Sequence, residues 1–177
     1  MNLSDYQRAS RRTAQYPEVG HNTMYLALGL CGEAGEACEK IKKMIRDDGG
    51  TLTNERRDLL LLELGDVLWY ATQLCSEMNL VIAAIPRTHR TPAETMPGVV
   101  LRLLAATGHI ADMAAAGALL PQQPTDVLLR ALGSIFTCIE DATLLLNTTV
   151  PHLADTNLAK LQDRQARAVI RGDGDTR

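Results

Sequence analysis

Apolar residues recur every three or four positions along most of this 177-residue chain, which is the spacing of one face of an α-helix. Proline, glycine and capping residues separate these stretches. A capping-box pattern at Ser4 to Gln7 begins the first helix, and Thr53 or Asn54 caps the third. We therefore predict an all-α fold. Its helices cover about residues 5–17, 24–46, 54–80, 99–120, 126–148 and 151 onward, with a linker at 91–98.

Composition and charge narrow the class of protein. Hydrophobic residues make up 46% of the chain and aromatic residues 3%, and most apolar positions hold Leu or Ala, which favour helices. The length suits one domain, 1–177. A net charge of −3 provides no basic surface for polymeric DNA or RNA.

The same features predict a location in the cell. The four cysteines form no C-x-x-C pair, and the first residues resemble no signal peptide. No run of about 18 apolar residues is present, so we expect no membrane span. We expect a cytoplasmic protein, in a bacterial cytosol or, if a phage encodes it, in the host cytosol.

The second predicted helix has a polar side and an apolar side. The polar side carries Glu33, Glu36, Lys40 and Lys43. Its apolar side is predicted to hold Leu28, Cys31, Ala34, Cys38, Ile41 and Ile45. Gly29 and Gly32 lie with the carboxylates, although each mid-helix glycine costs roughly 1 kcal/mol relative to alanine. This placement predicts a close approach to the helix backbone.

The third predicted helix repeats this pattern. Its apolar face holds Leu64, Val67, Leu68, Ala71, Leu74, Cys75 and Met78, and its polar face holds Glu63, Asp66, Tyr70, Gln73 and Glu77. Trp69 lies at the edge of the polar face. Two roles remain open for it: packing in the core, or stacking against a nucleotide base.

Two acidic pairs, Glu33 with Glu36 and Glu63 with Asp66, stand three residues apart and so lie one turn apart on a helix. Carboxylate oxygens are hard ligands that suit Mg²⁺ or Mn²⁺, whereas zinc prefers Cys or His. No histidine follows a glutamate by three residues, which argues against a di-iron bundle. The alternative is that both acidic faces are simply solvated.

Two lysines lie beyond Glu36 on the same face, Lys40 and Lys43. Such ammonium groups receive the outer phosphates of a nucleotide bound through Mg²⁺. The alternative is that they pair with Glu36 or Glu39 on the helix surface.

A degenerate internal repeat relates the two halves of the chain. A shift of 68 positions aligns residues 132–136 with 64–68, and a shift of 76 aligns 108–112 with 32–36. The four acidic positions become His109, Asp112, Ala131 and Ser134. We interpret residues 91–149 as a second helical hairpin that kept its packing face without the ligands, although chance similarity is an alternative.

The joined acidic segments resemble the MazG-like, all-α nucleoside triphosphate pyrophosphohydrolases, whose signature is E-x-x-E followed by E-x-x-D. The matching residues here are Glu33, Glu36, Glu63 and Asp66, with 26 residues between Glu36 and Glu63. A short subgroup of the family is also similar at both ends, near Tyr6 and from Asn157 to the tail 172–177. The resemblance covers about residues 3–85 and 150–177.

The resemblance implies a MazG-like four-helix-bundle core, here with the degenerate hairpin inserted. It implies Mg²⁺-dependent hydrolysis of a (d)NTP between the α and β phosphates, with Mn²⁺ able to substitute. The four acidic residues would be the metal ligands and catalytic groups. Substrate contacts would come from Lys40, Lys43, Asn157, Lys160 and Trp69 or Tyr70. Members assemble into dimers or tetramers, so we expect a homo-oligomer, unless the second hairpin makes an internal pseudo-dimer.

Two alternatives to this predicted function remain. One is a base-specific nucleotidase of the same superfamily, acting on dUTP, dGTP or an alarmone. The other is a catalytically inactive helical interaction module.

Overall fold

The computed structural model describes residues 1–88, 91, 95–121 and 123–167. Within these residues the chain forms six α-helices, one 3₁₀ turn at Ile82–Ala84 and no strands, which confirms the all-α prediction. The helices are α1 (Leu3–Arg11), α2 (Thr23–Asp47), α3 (Asn54–Glu77), α4 (Met96–Ala115), α5 (Asp126–Leu145) and α6 (Val150–Ala166). The predicted tail match at 172–177 and part of the predicted linker at 91–98 lie outside the described residues.

Each of these helices begins at an Asn or Thr whose side chain accepts a backbone N–H of the first turn. For α3 that residue is Thr53, one of the two residues predicted as its cap. The predicted capping box of α1 was wrong, because Asn2 is the cap. Gln7, the expected partner of Ser4, instead bonds Leu80 O and Ile82 N of the 3₁₀ turn.

Four helices, α1, α3, α4 and α5, end earlier than the hydrophobic pattern predicts. The helix α1 ends at Arg11 instead of continuing to Pro17. The ends of α4 and α5 are followed by left-handed residues, Gly117 (φ 64°) and Asn147 (φ 50°). A left-handed residue closes a helix by redirecting the chain, so apolar positions beyond it belong to the next loop.

The helix α2 lies in the middle of the bundle. It packs against α3 on one side and α4 on the other, and α5 covers α4. The helices α1 and α6 pack on α3 and on each other. Among the described residues, α4 alone is long and apolar enough to cross a membrane, but a core helix passes the same test and α4 packs between α2 and α5.

The predicted apolar side of α2 was partly wrong. Leu28 and Ile45 are exposed, and Cys31 and Cys38 are half-buried against α4. Because α2 has a neighbour on two sides, its buried stripe is rotated from the predicted one. That stripe consists of Leu26, Ala27, Leu30, Ala34, Ala37, Ile41 and Met44.

The helix α3 is buried on almost every side through its middle. Its predicted apolar face is in the core, but Glu63, Asp66, Gln73 and Glu77 are also buried. The polar face is covered because α1 and α6 pack over it. Buried carboxylates are costly unless they are paired, so the partners of these groups locate the chemistry of the fold.

Candidate functional site

Three of the four predicted acidic ligands converge between α2 and α3. Glu33, Glu36 and Glu63 each offer a carboxylate oxygen, and the three oxygens lie within 4.8 Å of one another. Glu63 is buried, Glu33 half-buried and Glu36 exposed. The cluster therefore opens to solvent at Glu36 and is closed at Glu63.

The cluster is electrostatically strained without a cation. Burial raises the pKa of Glu33 to about 8, and the charges of Asp66, Glu36 and Glu63 add to this effect, while Lys160 opposes it. A carboxyl group in this setting retains its proton near neutral pH unless positive charge is supplied. Proximity to Asp66 also shows that the fourth predicted ligand lies on this side of the bundle.

Lys40 closes the cluster at its buried end. Its ammonium nitrogen lies 2.7 Å from Glu63 Oε1, and its side chain is 19% exposed. The structure therefore brings one predicted lysine into the site.

Lys43 lies outside the cluster, one turn further along α2. It pairs with Glu39 at 3.3 Å on the helix surface, which was the alternative to a phosphate contact. Its side chain is 39% exposed.

Asp66 is held by two residues of α6, both predicted for the site. Asn157 Nδ2 donates to Asp66 Oδ1 at 2.8 Å, and Lys160 Nζ lies 2.6 Å from Asp66 Oδ2. Gly65 makes this contact possible, because a Cβ there would lie 3.2 Å from Asn157 Cβ and Nδ2. Residues more than 90 positions apart in sequence therefore meet at one carboxylate.

Tyr6 of α1 adds a residue that the spacing arguments did not find. Its hydroxyl donates to Asn157 Oδ1 at 2.7 Å, and its side chain is fully buried. Burial, and after it the charge of Asp66, raises the pKa of Tyr6 well above its ordinary value, so the phenol remains a donor. Its match to the start of the family subgroup was the one signal in the sequence.

An aromatic cluster borders the carboxylates. Tyr70 packs across Gly29, where a Cβ would lie 2.1 Å from the ring, so the close approach predicted at this glycine is made by Tyr70. No such contact occurs at Gly32, whose Cβ would meet open space. Tyr70 also contacts Tyr25, with ring centroids 6.4 Å apart. Tyr25 is 39% exposed and was missed because a lone exposed aromatic carries no spacing signal.

Of the two roles predicted for Trp69, packing in the core and stacking on a base, its contacts fit packing. It is buried, its indole N–H donates to Thr13 Oγ1 at 3.0 Å, and its ring makes T-shaped contacts with Tyr16 and Tyr70. Because the polar atom of the indole is already bonded and the side chain is buried, Trp69 supports the aromatic cluster from within.

The loop between α1 and α2 is anchored on Glu77. This carboxylate accepts hydrogen bonds from Arg11, the Tyr16 hydroxyl and the backbone N–H of Gly20 and Asn22. Tyr16 stacks under Tyr25 with ring centroids 5.1 Å apart. Glu77 therefore fixes the position of the ring that supports Tyr25.

The donor set fits a hard divalent cation. Among the residues that the structure describes, the four carboxylates of Glu33, Glu36, Glu63 and Asp66 are paired with two ammonium groups, those of Lys40 and Lys160, so this ionised set of six groups holds two more negative than positive charges. Oxygen ligands of this kind suit Mg²⁺ or Mn²⁺. Glu33, Glu36 and Glu63 would hold the ion, with Asp66 beside them.

Comparisons with known proteins cover the same two helices. The model of the MazG nucleotide pyrophosphohydrolase domain matches residues 21–84, which contain α2, α3 and all four acidic residues. The Gene 37 protein of Mycobacterium phage L5 is 41% identical over 90 residues, which cover 48% of this chain and 79% of that protein. No solved structure matches the chain.

Proposed function

The chain belongs to the family of MazG nucleotide pyrophosphohydrolase domains, and from this premise we propose that it hydrolyses a nucleoside triphosphate with Mg²⁺. Water attacks the α-phosphorus, the bond to the bridging oxygen breaks, and pyrophosphate leaves. The products are a nucleoside monophosphate and pyrophosphate.

One observation carries this proposal: three carboxylate oxygens on two helices lie within 4.8 Å of one another, with an ammonium group beside them. A carboxylate cluster that only faced solvent would gain nothing from this crowding, which raises the pKa of Glu33. A bound divalent cation offsets the repulsion and, in this class of site, polarises the phosphate and activates water.

The side chains around the cluster have separate roles in this proposal. Glu33, Glu36 and Glu63 would hold the cation, with Asp66 beside them as the fourth acidic group of the site. Lys40 and Lys160 are paired with Glu63 and Asp66 in this structure, and in this proposal both ammonium groups also neutralise the phosphates of a bound nucleotide. Because each lysine already neutralises one carboxylate, the two remaining negative charges match the charge of one divalent cation.

The base lies against the aromatic cluster in this proposal. Tyr25 is exposed next to Tyr70, and Tyr25 precedes Glu33 by eight residues on the same helix. Eight residues of α-helix span about 12 Å, a length that suits the separation of a base from its outer phosphates. An aromatic face stacks on any base, so these rings favour nucleotides without choosing among them.

The experiment is a panel of ribo- and deoxynucleoside triphosphates, incubated with Mg²⁺ or Mn²⁺, with every product identified. We expect pyrophosphate and the monophosphate from at least one nucleotide, and no release without a divalent cation. The variant Glu63→Gln keeps the side-chain volume and removes the charge, so it should be folded and inactive.

Two results would contradict the proposal. One is orthophosphate as the released product, which would mean cleavage at the γ-phosphate. The other is no product from any nucleotide while wild-type protein is folded and free of nucleotide.

A further inference from the structure

Tyr6 and Asn157 form a buried chain of hydrogen bonds that ends at Asp66. The Tyr6 hydroxyl donates to Asn157 Oδ1 at 2.7 Å, and Asn157 Nδ2 donates to Asp66 Oδ1 at 2.8 Å. Tyr6 is 0% exposed and Asn157 is 2% exposed. Water has little access to either bond, so each group depends on the next for its partner.

The chain has a direction, because the two ends of an amide differ. The amide oxygen only accepts and the NH₂ group only donates, whereas an ionised carboxylate only accepts. With Tyr6 donating to the oxygen, the NH₂ group faces Asp66. Without that donor the amide oxygen would be buried with no partner, and the side chain would gain from turning away.

The packing at Gly65 leaves the amide little freedom. A Cβ at Gly65 would lie 3.2 Å from Asn157 Cβ and Nδ2, so α6 approaches the backbone of α3 directly beside Asp66. The carboxylate of Asp66 is therefore oriented by a side chain that is itself held between α1 and α3.

We infer that Tyr6 is a positioning residue for the cation and phosphate site, acting through Asn157 to fix the carboxylate of Asp66. The inference rests on the proposed function, because it takes Asp66 to be part of the cation site. The Tyr6 hydroxyl bonds the amide of Asn157, and that amide bonds Asp66, so in this inference Tyr6 orients the carboxylate through Asn157.

The test removes the hydroxyl alone. Tyr6→Phe keeps the ring in the core and deletes the donor, so Asn157 no longer holds Asp66 firmly and only Lys160 still orients this carboxylate. Groups that orient metal ligands are worth about 10- to 100-fold in metal affinity. Since Tyr6 acts one bond further out, we expect the dissociation constant for Mn²⁺ to rise about 3- to 10-fold.

The measurement is a calorimetric titration of the full chain with Mn²⁺ in the absence of nucleotide, after circular dichroism has verified folding. Ser10→Ala is the matched control. It also deletes a fully buried hydroxyl of α1, one that accepts a hydrogen bond from Gln73 of α3, but it does not touch Asn157. Its Mn²⁺ affinity should equal that of wild type.

A double-mutant cycle separates positioning from general packing. If Tyr6 acts through Asn157, adding Tyr6→Phe to Asn157→Ala should leave Mn²⁺ affinity unchanged from that of Asn157→Ala alone. Additive losses would mean that Tyr6 acts by another route and would overturn the inference. Wild-type affinity in Tyr6→Phe would overturn it as well.

A second variant keeps the test decisive if Tyr6→Phe does not fold. Gly65→Ala favours the helix but presses on Asn157, so it should weaken Mn²⁺ binding; unchanged binding would overturn the inference. If the proposed function is wrong, the result is different: wild-type protein itself binds no Mn²⁺. That outcome contradicts both the proposed function and this inference.

Discussion

The hairpins α2–α3 and α4–α5 are built alike but differ in what they bury. Both are pairs of neighbouring helices packed along their length, and α2 also packs on α4. Between α2 and α3 lie the carboxylates of Glu33 and Glu63. At the matching positions of the second hairpin stand His109, which is exposed, and Ala131, which is buried.

The ends of the hairpins have the same backbone geometry. Asn79 follows α3 with φ 55°, and Asn147, 68 positions later, follows α5 with φ 50°. In both, the next residue closes the same bond: Leu80 N to Cys75 O at 2.8 Å, and Thr148 N to Thr143 O at 2.9 Å. This likeness adds to the internal repeat predicted from sequence.

The difference lies at two matching glycines. Gly65 of α3 is approached by the Asn157 side chain, whereas Gly133 of α5 is approached by the Pro86 carbonyl, 2.1 Å from where a Cβ would lie. One close approach brings an amide to Asp66; the other only packs a loop. The second hairpin packs without carboxylates at the positions of Glu33 and Glu63, so packing alone does not account for the costly carboxylates of the first.

The largest expected effect comes from matched acidic residues in the two hairpins. Glu36→Gln removes a carboxylate from the cluster and should lower Mg²⁺-dependent pyrophosphate release at least about 100-fold. Asp112→Asn makes the same change at the matching exposed position of α4 and should leave the rate unchanged. Steady-state assays of both variants measure the two rates. Equal losses of activity would contradict the assignment of the site to the first hairpin.

A second contrast concerns the C-terminal ends of α3 and α5. Glu77 of α3 accepts four hydrogen bonds, whereas the matching residue of α5 is Leu145. Glu77→Gln should lower the free energy of unfolding by about 2 kcal/mol, because hydrogen bonds to a charged, buried group are strong. Urea denaturation at pH 7 measures the loss. Glu140→Gln, which breaks a partly exposed pair with Arg87, should cost less than about 1 kcal/mol.

The Glu77 contribution should also depend on pH. Burial alone would raise the pKa of Glu77, but hydrogen bonds from Tyr16, Gly20 and Arg11 outweigh it and hold the pKa below the ordinary value of 4.5. A lowered pKa in the folded state means that stability is present above pH 4.5 and is lost as the pH falls through the folded-state pKa. The difference between wild type and Glu77→Gln should therefore narrow below pH 4.5, and a constant difference would contradict this account.

The smallest expected effect uses the helix glycines. Gly108→Ala in α4 adds a Cβ in open space and should stabilise the protein by up to about 1 kcal/mol. Gly29→Ala in α2 drives a Cβ into the Tyr70 ring, which is packed against Trp69, and should destabilise it by about 1 kcal/mol or more. Thermal melts should show the two midpoints shifting in opposite directions; shifts of the same sign would contradict the assigned contacts.

Local patterns predicted much of the fold. The capping Thr53 and the extent of α2 follow from short stretches of sequence, because caps and periodicity act within a few residues. The buried stripe of α2 did not follow, since Leu28 and Ile45 become exposed only because α2 packs against both α3 and α4. A helical wheel describes one helix and does not show how many neighbours it has.

The candidate site divides in the same way. Spacing alone put Glu33 with Glu36 and Glu63 with Asp66, because residues three apart on a helix share a face. Spacing did not show that Lys40 lies in the site, where it pairs with Glu63, whereas Lys43 lies outside it and pairs with Glu39.

The sequence by itself determined that this protein is helical, which family it resembles and which carboxylates stand in pairs. Those properties arise from helix periodicity and from motifs, so they can be predicted without a structure. Only the tertiary structure decided that Asn157 and Lys160 reach Asp66 and that Tyr6 holds Asn157. These contacts join residues 91, 94 and 151 positions apart, and their formation depends on how whole helices pack against one another.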